Sequence, residues 1–221
     1  MVPVDHDGIS SKTNDISGAI TQLAEPLNRA TTSMHTKPEI LKKELIARSR
    51  LFGIERVELK FSNGEEREYE RLRTPTIPAV MIVALKDDTT VLLIREYSCG
   101  TENYQLTLPK GAMDLGETVF EAANRELMEE VGYGAHKFTE LKQLTLSPGY
   151  MGHIIHVVMA ENLYEKRLEG DEPEPLEVIE HSLENMGALI DAEDFTEARA
   201  LAALYMVRDI VRDKVREKGV E

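Results

Sequence analysis

Three glutamates lie within five residues in the segment RELMEEVG, residues 125–132. On a helix with 100° per residue, Glu126, Glu129 and Glu130 would fall within one arc of roughly 100°. Glu126 and Glu130 are i,i+4 neighbours, and like charges at that spacing destabilise a helix by about 0.2–0.5 kcal/mol. They also lie toward the C-terminal end of the predicted helix, where the helix dipole disfavours anions. A bound cation would offset both penalties, and hard carboxylate oxygens select Mg²⁺, Mn²⁺ or Ca²⁺.

A solvated acidic helix face is the ordinary explanation for paired glutamates, but the surrounding residues favour a site. The cluster follows a glycine-rich loop, PKGAMDLGE (109–117), which ends in a fourth carboxylate, Glu117. Arg125 lies within the cluster and could pair with Glu117 or Glu129, which would fix the direction of a carboxylate. The spacing therefore predicts a divalent metal site on this helix.

The composition limits what such a site could serve. Of the 221 residues, 42% are hydrophobic and 30% are charged, which is typical of a soluble globular protein. No apolar run approaches the ~20 residues of a membrane span, and the N-terminus lacks the pattern of a secretory signal. The single cysteine, Cys99, excludes an internal disulfide framework and favours a reducing cytoplasm. We therefore expect a cytoplasmic protein with no membrane partner.

The net charge of −14 argues against a nucleic-acid partner, which would require a basic face. A small anionic substrate remains compatible with it, because a bound Mg²⁺ inverts the local field.

The chain divides into three segments. Residues 1–35 are rich in Ser, Thr, Asn, Asp and Gly, which predicts a flexible extension. Residues 36–75 hold N-terminal strands: IERVELKF and REYERLR flank SNGE, and Asn-Gly between two such runs predicts an antiparallel hairpin over 54–73.

Residues 76–221 alternate strand and helix patterns. Strands are predicted at AVMIVAL (79–85), TVLLIREY (90–97), NYQLTL (103–108), FTELKQLTL (138–146) and HIIHVVMA (153–160). Helices are predicted at TVFEAANRELMEEV (118–131), SLENMGALI (182–190) and TEARALAALYMVRDIVRDKVREK (196–218). This order predicts one α/β domain with a mixed sheet and helices on its faces.

The segment GAMDLGETVFEAANRELMEEVGY (111–133) resembles the box of the Nudix hydrolases. That box reads Gly, five residues, Glu, seven residues, Arg-Glu, an apolar residue, any residue, Glu-Glu, any residue, Gly and an aliphatic residue. The fixed positions that match are Gly111, Glu117, Arg125, Glu126, Leu127, Glu129, Glu130 and Gly132. Tyr133 replaces the aliphatic residue, a mild departure at a packing position.

From about Lys37 to the C-terminal helix, the chain is similar to the ADP compounds hydrolase branch of that family. The resemblance implies the Nudix fold for 76–221: an α/β/α sandwich with a mixed β-sheet, preceded by an N-terminal antiparallel hairpin. It also implies a homodimer that exchanges the strands within 36–75.

The activity implied by the resemblance is Mg²⁺- or Mn²⁺-dependent hydrolysis of the pyrophosphate bond of ADP-containing compounds. ADP-ribose, diadenosine polyphosphates and NADH are the substrates of that branch, and AMP is released. The carboxylates point to the same chemistry, since divalent ions polarise the P–O bond and lower the pKa of bound water. We expect Glu126 and Glu130 to be the main ligands, and Glu129 to hold a further ion or orient water. The backbone carbonyl of Lys110 or Gly111 would complete the shell.

The general base of related ADP-ribose hydrolases lies on a loop after the later strands. Here that loop is EGDEPEP (169–175), and Glu172 and Glu174 are the candidate bases. Glu174 is slightly preferred because of its spacing from the following segment LEV. A solvated acidic turn explains the loop equally well.

Substrate contacts are predicted from basic residues near strand ends. Arg71, Arg73 and Arg95 could each hold a phosphate or the terminal ribose, although a surface ion pair would explain each of them as well. Tyr150 ends SPGY (147–150), which resembles a loop that flanks the site in ADP-ribose hydrolases.

Two other functions remain open. A sugar-nucleotide hydrolase acting on compounds such as GDP-mannose would carry the same box, because only pocket residues differ. A non-catalytic Nudix module that binds nucleotides typically loses a ligand carboxylate, whereas this chain retains all of them. A calcium-binding role for 169–175 ranks low, because the loop lacks EF-hand spacing.

Overall fold

A computed structural model describes residues 36–73 and 77–218. The predicted extension, residues 1–35, lies outside the described residues. The strands are β1 Glu39–Arg48, β2 Gly53–Lys60, β3 Glu66–Arg73, β4 Ala79–Leu85, β5 Thr90–Ser98, β6 Asn103–Thr107, β7 Lys110–Ala112, β8 Tyr133–Thr145, β9 Ile154–Glu165 and β10 Glu177–Ser182. The helices are α1 Val119–Glu126, α2 Met186–Ile190 and α3 Ala198–Lys218, with a π-helical turn at Leu127–Val131 and a 3-10 turn at Leu183–Asn185.

The larger sheet has seven strands and is mixed, as predicted. Its main path runs β10-β5-β4-β9-β8, while β6 pairs with β5 and β7 pairs with β4. β4 and β9 run parallel, and the remaining pairs are antiparallel. β4 has seven buried residues in a row, because helices cover both faces of the sheet.

Alternation along β4 and β5 separates the core into two layers. Val80 and Ile82 pack with Ala123 and Leu127 of the α1 region. The intervening residues, such as Met81, pack with α3 on the opposite face. This arrangement confirms the predicted α/β/α sandwich, since strand side chains alternate between faces with a period of two.

A smaller antiparallel sheet, β1-β2-β3, precedes the main domain. The predicted hairpin is present as β2 and β3, and Gly64 in its turn has a φ of +86°. β1 adds a third strand that the sequence patterns did not identify. Val57 is the one buried residue among these three strands. The sheet joins the main domain through the backbone, where the N–H of Leu72 donates to the carbonyl of Tyr150 at 2.7 Å.

Several element boundaries differ from the sequence predictions. β8 begins five residues earlier than the predicted strand, and β9 continues to Glu165. β7 and β10 were not predicted, because both are short and neither alternates cleanly between apolar and polar residues. In the described ranges, no helix is long and apolar enough to cross a membrane.

Candidate active site

The glutamate cluster lies where an α-helix changes to a π-helical turn. α1 begins with a capping box, in which the N–H of Glu121 donates to Oγ1 of Thr118 at 3.3 Å and the N–H of Thr118 donates to Glu121 at 2.8 Å. After Glu126 the chain widens, and the N–H of Gly132 donates to the carbonyl of Leu127 at 3.1 Å. The α-helical spacing predicted for the whole of 118–131 is therefore wrong for its last five residues. π-helical turns of this kind are frequent at functional sites.

Arg125 joins the carboxylates of three glutamates. Its Nε and Nη2 donate to Glu117 at 2.8 and 2.9 Å, and its Nη1 donates to Glu126 at 2.7 Å and Glu129 at 3.0 Å. Nη2 also donates to the carbonyl of Ala112 at 2.9 Å, which ties the helix to β7. Both pairings proposed for Arg125 are thus present together. The guanidinium lowers the pKa of Glu117.

Glu130 is the most deeply buried carboxylate, with 4% of its surface exposed. Its Oε2 accepts a hydrogen bond of 2.9 Å from the backbone N–H of Lys110. Burial raises the pKa of Glu130 to about 8, and the hydrogen bond offsets only part of that effect. Burial also raises the pKa of Glu126, against the opposing pull of Arg125. A bound cation would stabilise the ionised form of these two buried carboxylates.

Gly111 allows Glu126 to approach the main chain of β7. A Cβ at Gly111 would overlap the carboxylate of Glu126. Gly111 pairs with Val80 on the central strand, so the backbone cannot move away without breaking the sheet. The close approach explains why glycine is needed at this position of the box.

The acidic loop, residues 169–175, lies over the same end of the helix. Its entry is anchored because the N–H of Leu168 donates to the carbonyl of Met128 at 3.1 Å, and Arg167 donates to the carbonyl of Val131 at 3.2 Å. Between loop and helix is a cavity of about 470 Å³. The carboxylates that line it are Glu129, Glu130, Glu169, Glu172 and Glu174. The structure therefore brings both candidate bases to the predicted metal ligands.

The two candidate bases have different surroundings. Burial raises the pKa of Glu172, and the nearby carboxylates of Glu96 and Asp171 raise it further. Glu174 instead accepts a hydrogen bond from the hydroxyl of Tyr104. A carboxylate with a raised pKa and no hydrogen-bond donor among the described residues is the better proton acceptor, which favours Glu172 over Glu174.

The predicted substrate residues lie apart from the carboxylates. Arg71 donates to Glu55 within the smaller sheet, at 2.9 and 2.6 Å. Arg95 pairs with Glu177 at 2.9 Å and also with Asp194. Its neighbours on β5 place it on the α3 face of the sheet, because Leu93 packs in that layer. In the described parts of the chain, no hydrogen bond or ion pair joins either arginine to the box.

Arg73 and Tyr150 lie near each other at the junction of the two sheets. Arg73 borders an apolar cavity of about 310 Å³ that Leu72, Leu146 and Met151 also line. Tyr150 is 70% exposed, and its carbonyl holds β3. Their roles in substrate binding stay predictions.

Two residues that contact the site, Glu96 and Tyr104, belong to no sequence motif. Nζ of Lys110 pairs with Glu96, and the hydroxyl of Tyr104 holds Glu174. Alternation along β5 could have identified Glu96, since Ile94 packs in the α1 layer and a residue two positions on faces the same way. For Tyr104 the sequence offers no comparable signal, because its partner lies 70 residues away.

A divalent metal fits the donor set by its chemistry. Among residues 36–73 and 77–218, no three Asp, Glu, His or Cys side chains converge as ready ligands. Arg125 draws the carboxylates of Glu126 and Glu129 to itself, while Glu130 remains buried with a raised pKa. Carboxylate and carbonyl oxygens are the ligands that Mg²⁺ and Mn²⁺ prefer.

Comparison with known proteins agrees with this geometry. Residues 38–71 match the model of the NudE-type Nudix hydrolase N-terminal domain, and residues 75–204 match that of the NUDIX domain. The chain is 51% identical over 180 residues to the ADP compounds hydrolase NudE of Escherichia coli K12, covering 81% of this chain and 96% of that one. It is 31% identical over 177 residues to the ADP-ribose pyrophosphatase of Bacillus subtilis 168, covering 76% and 94%.

A solved structure shares the fold. A crystal structure of an ADP compounds hydrolase superposes with a TM-score of 0.77 at 50% identity, covering 81% of this chain and 97% of that one. The domain match, the relatives and the glutamate box all lead to the same assignment: this chain belongs to the Nudix hydrolase family and is a hydrolase of the NudE type.

Proposed function

We propose that this protein hydrolyses the pyrophosphate bond of ADP-containing compounds, releasing AMP. ADP-ribose, NADH and diadenosine polyphosphates are the proposed substrates. One observation carries the proposal: a helix end with Glu129 and Glu130 faces the acidic loop across a cavity of about 470 Å³, and Glu126 immediately precedes its π-helical turn. The printed names of the most similar relatives, an ADP compounds hydrolase and an ADP-ribose pyrophosphatase, support the substrate class.

The proposed metal is Mg²⁺, with Mn²⁺ as a substitute. Nudix hydrolases generally need a divalent metal ion. Glu126 and Glu130 would be its main ligands, with Glu129 and the carbonyl of Lys110 or Gly111 beside them. When bound, such an ion polarises a phosphate oxygen and lowers the pKa of coordinated water. Arg125 orients Glu126 and Glu129 by donating to both.

Glu172 is the proposed proton acceptor for the attacking water. Burial raises the pKa of Glu172 and neighbouring carboxylates raise it further, which strengthens it as a proton acceptor. Replacing Glu172 by Gln should lower kcat more than it changes KM, because the amide cannot take the proton.

The substrate is proposed to contact residues from both sheets. Arg71, Arg73 and Tyr150 lie on or beside the smaller sheet, and Arg95 lies within β5. Guanidinium groups suit phosphate and ribose oxygens, since they donate in a planar fork.

A homodimer is the proposed assembly, formed by exchange of the N-terminal strands. All ten residues of β1 are exposed, and four of them are large and apolar: Ile40, Leu41, Leu45 and Ile46. A strand with this much exposed apolar surface suits burial against a second copy of the chain. Such an exchange would bring the arginines of one subunit's smaller sheet toward the other subunit's box.

A substrate panel tests the proposed function. The purified chain would be assayed with ADP-ribose, NADH, diadenosine triphosphate and GDP-mannose, with Mg²⁺, Mn²⁺ or a chelator. We expect AMP from the first two, and AMP plus ADP from diadenosine triphosphate, all dependent on metal. Selective hydrolysis of GDP-mannose would favour a sugar-nucleotide hydrolase. Tight nucleotide binding without turnover would favour a non-catalytic module, against which the complete set of box carboxylates argues.

A further inference from the structure

The acidic loop has one hydrogen bond to the rest of the described chain. The hydroxyl of Tyr104 donates to Oε1 of Glu174, and no other described hydrogen bond involves residues 169–175. The chain is held before the loop by Leu168 and after it by β10, which pairs with β5. Between these two anchors, the position of Glu172 in the cavity depends on what holds Glu174.

Tyr104 is well placed to hold the loop. It lies on β6 and is the register partner of Tyr97 on β5. The two rings meet edge to face, with centroids 5.5 Å apart and an interplanar angle of 69°. Paired strands and an aromatic contact restrict the ring, so its hydroxyl presents a fixed donor to Glu174.

We propose that Tyr104 is a positioning residue, whose hydroxyl holds Glu174 and thereby keeps Glu172 in the cavity that Glu129 and Glu130 line. Glu174 then anchors the loop, and Glu172, two residues earlier, does the chemistry. The kinetic part of this inference rests on the proposed function. The structural part concerns only the contact between Tyr104 and the loop.

Tyr104→Phe removes the hydroxyl and keeps the ring, with Tyr97→Phe as the matched control. Backbone NMR order parameters over 169–175 should fall from about 0.85, typical of a rigid backbone, to below about 0.6 in Tyr104→Phe and stay unchanged in the control. With ADP-ribose and Mg²⁺, kcat should fall about tenfold while KM changes less than about twofold. The melting temperature should stay near that of the parent, since Tyr104 is 45% exposed.

Glu174 provides a second test, by rescue. Glu174→Gln keeps a carbonyl oxygen that accepts the hydrogen bond from Tyr104, whereas Glu174→Leu does not. We expect Glu174→Leu to lose as much kcat as Tyr104→Phe, and Glu174→Gln to lose clearly less. The loss in the double variant Tyr104→Phe, Glu174→Leu should be no larger than in either single variant, because both break the same contact.

Three results would overturn the proposal. Unchanged order parameters of the loop in Tyr104→Phe would show that the contact does not hold the loop. Lowered order parameters with an unchanged kcat would show that the contact does not serve catalysis. Equal losses in Glu174→Gln and Glu174→Leu would show that the carboxylate itself is required. If the parent protein hydrolyses no ADP compound, the proposed function fails, and the order-parameter measurement still decides whether Tyr104 holds the loop.

Discussion

Glu130 is a buried carboxylate with other carboxylates close by, so its ionisation depends on what it can pair with. Its pKa lies near 8 against an ordinary value of 4.5. Between those two pH values the folded chain binds a proton that the unfolded chain releases. The free energy of unfolding therefore decreases as pH rises through this window. The direction is opposite to that of a salt-bridged carboxylate such as Glu117, whose pKa is lowered.

The first prediction concerns this pH dependence. Without divalent metal, the melting temperature should rise as pH is lowered from about 8 toward 6, and Glu130→Gln should flatten that slope. Glu193→Gln, at an exposed position, is the matched control and should keep the slope. Thermal unfolding in the presence of a chelator measures it. A slope that is the same in Glu130→Gln and in the parent would mean that Glu130 is not the group responsible.

The second prediction concerns turnover. Glu130→Gln should lower kcat by about a hundredfold or more at saturating Mg²⁺, because a neutral amide is a poor metal ligand. The amide oxygen can still accept from the N–H of Lys110, so the fold should persist. Circular dichroism checks the fold, and AMP release measures kcat. Activity within about threefold of the parent would remove Glu130 from the ligand set.

At the scale of elements, the site depends on how the helix ends. The π-helical turn closes at Gly132, whose φ of +83° lies in the left-handed region. Arg167, next to the acidic loop, packs against this glycine and donates to the carbonyls of Glu129 and Val131. One short segment thus sets both the direction of the glutamates and the start of the loop that faces them.

The third prediction tests that helix end. Gly132→Ala should lower the free energy of unfolding by about 1–2 kcal/mol from backbone strain alone, and more if Arg167 is displaced. Gly187→Ala is the matched control, because Gly187 is in helix α2 with open space around its Cα and no positive φ. That substitution should be neutral or slightly stabilising. Urea unfolding measures both, and equal effects would contradict the role given to Gly132.

At the scale of the whole molecule, the smaller sheet has almost no core, since Val57 is the one buried residue in its three strands. Its strand β1 is exposed along its length. In the described parts of the chain, one backbone hydrogen bond and one bridge between Leu72 and Met151 join the sheet to the main domain. A small sheet that leaves four large apolar side chains of one strand exposed gains stability when they are buried. This incompleteness is the physical ground for the proposed homodimer.

The fourth prediction tests the dimer. Leu41→Glu should shift the protein from dimer to monomer in size-exclusion chromatography with light scattering, because it places a charge in the proposed interface. Val215→Glu makes the same chemical change at an exposed apolar position on α3 and should leave the mass unchanged. A parent protein that is monomeric at assay concentration would rule out the exchange.

Sequence patterns predicted the central sheet, its two helical layers and the β2–β3 hairpin, because period-two and period-3.6 patterns are local properties of the chain. They missed β1, β7 and β10. These strands are exposed or short, so their residues carry no alternation that burial would impose. The π-helical turn was also missed, since Leu127 and Val131 are four residues apart, a spacing that fits an ordinary α-helical turn.

By itself, the sequence determined the family and the carboxylate cluster. The residues of the box lie within 23 consecutive positions of one loop and one helix, so their spacing alone implies their proximity. Only the tertiary structure decided which residues meet that cluster. In the structure, Lys110 pairs with Glu96, the hydroxyl of Tyr104 donates to Glu174, and Arg95 lies on the opposite face of the sheet. These contacts join segments far apart in the chain, and they depend on strand register and loop path, which no local pattern encodes.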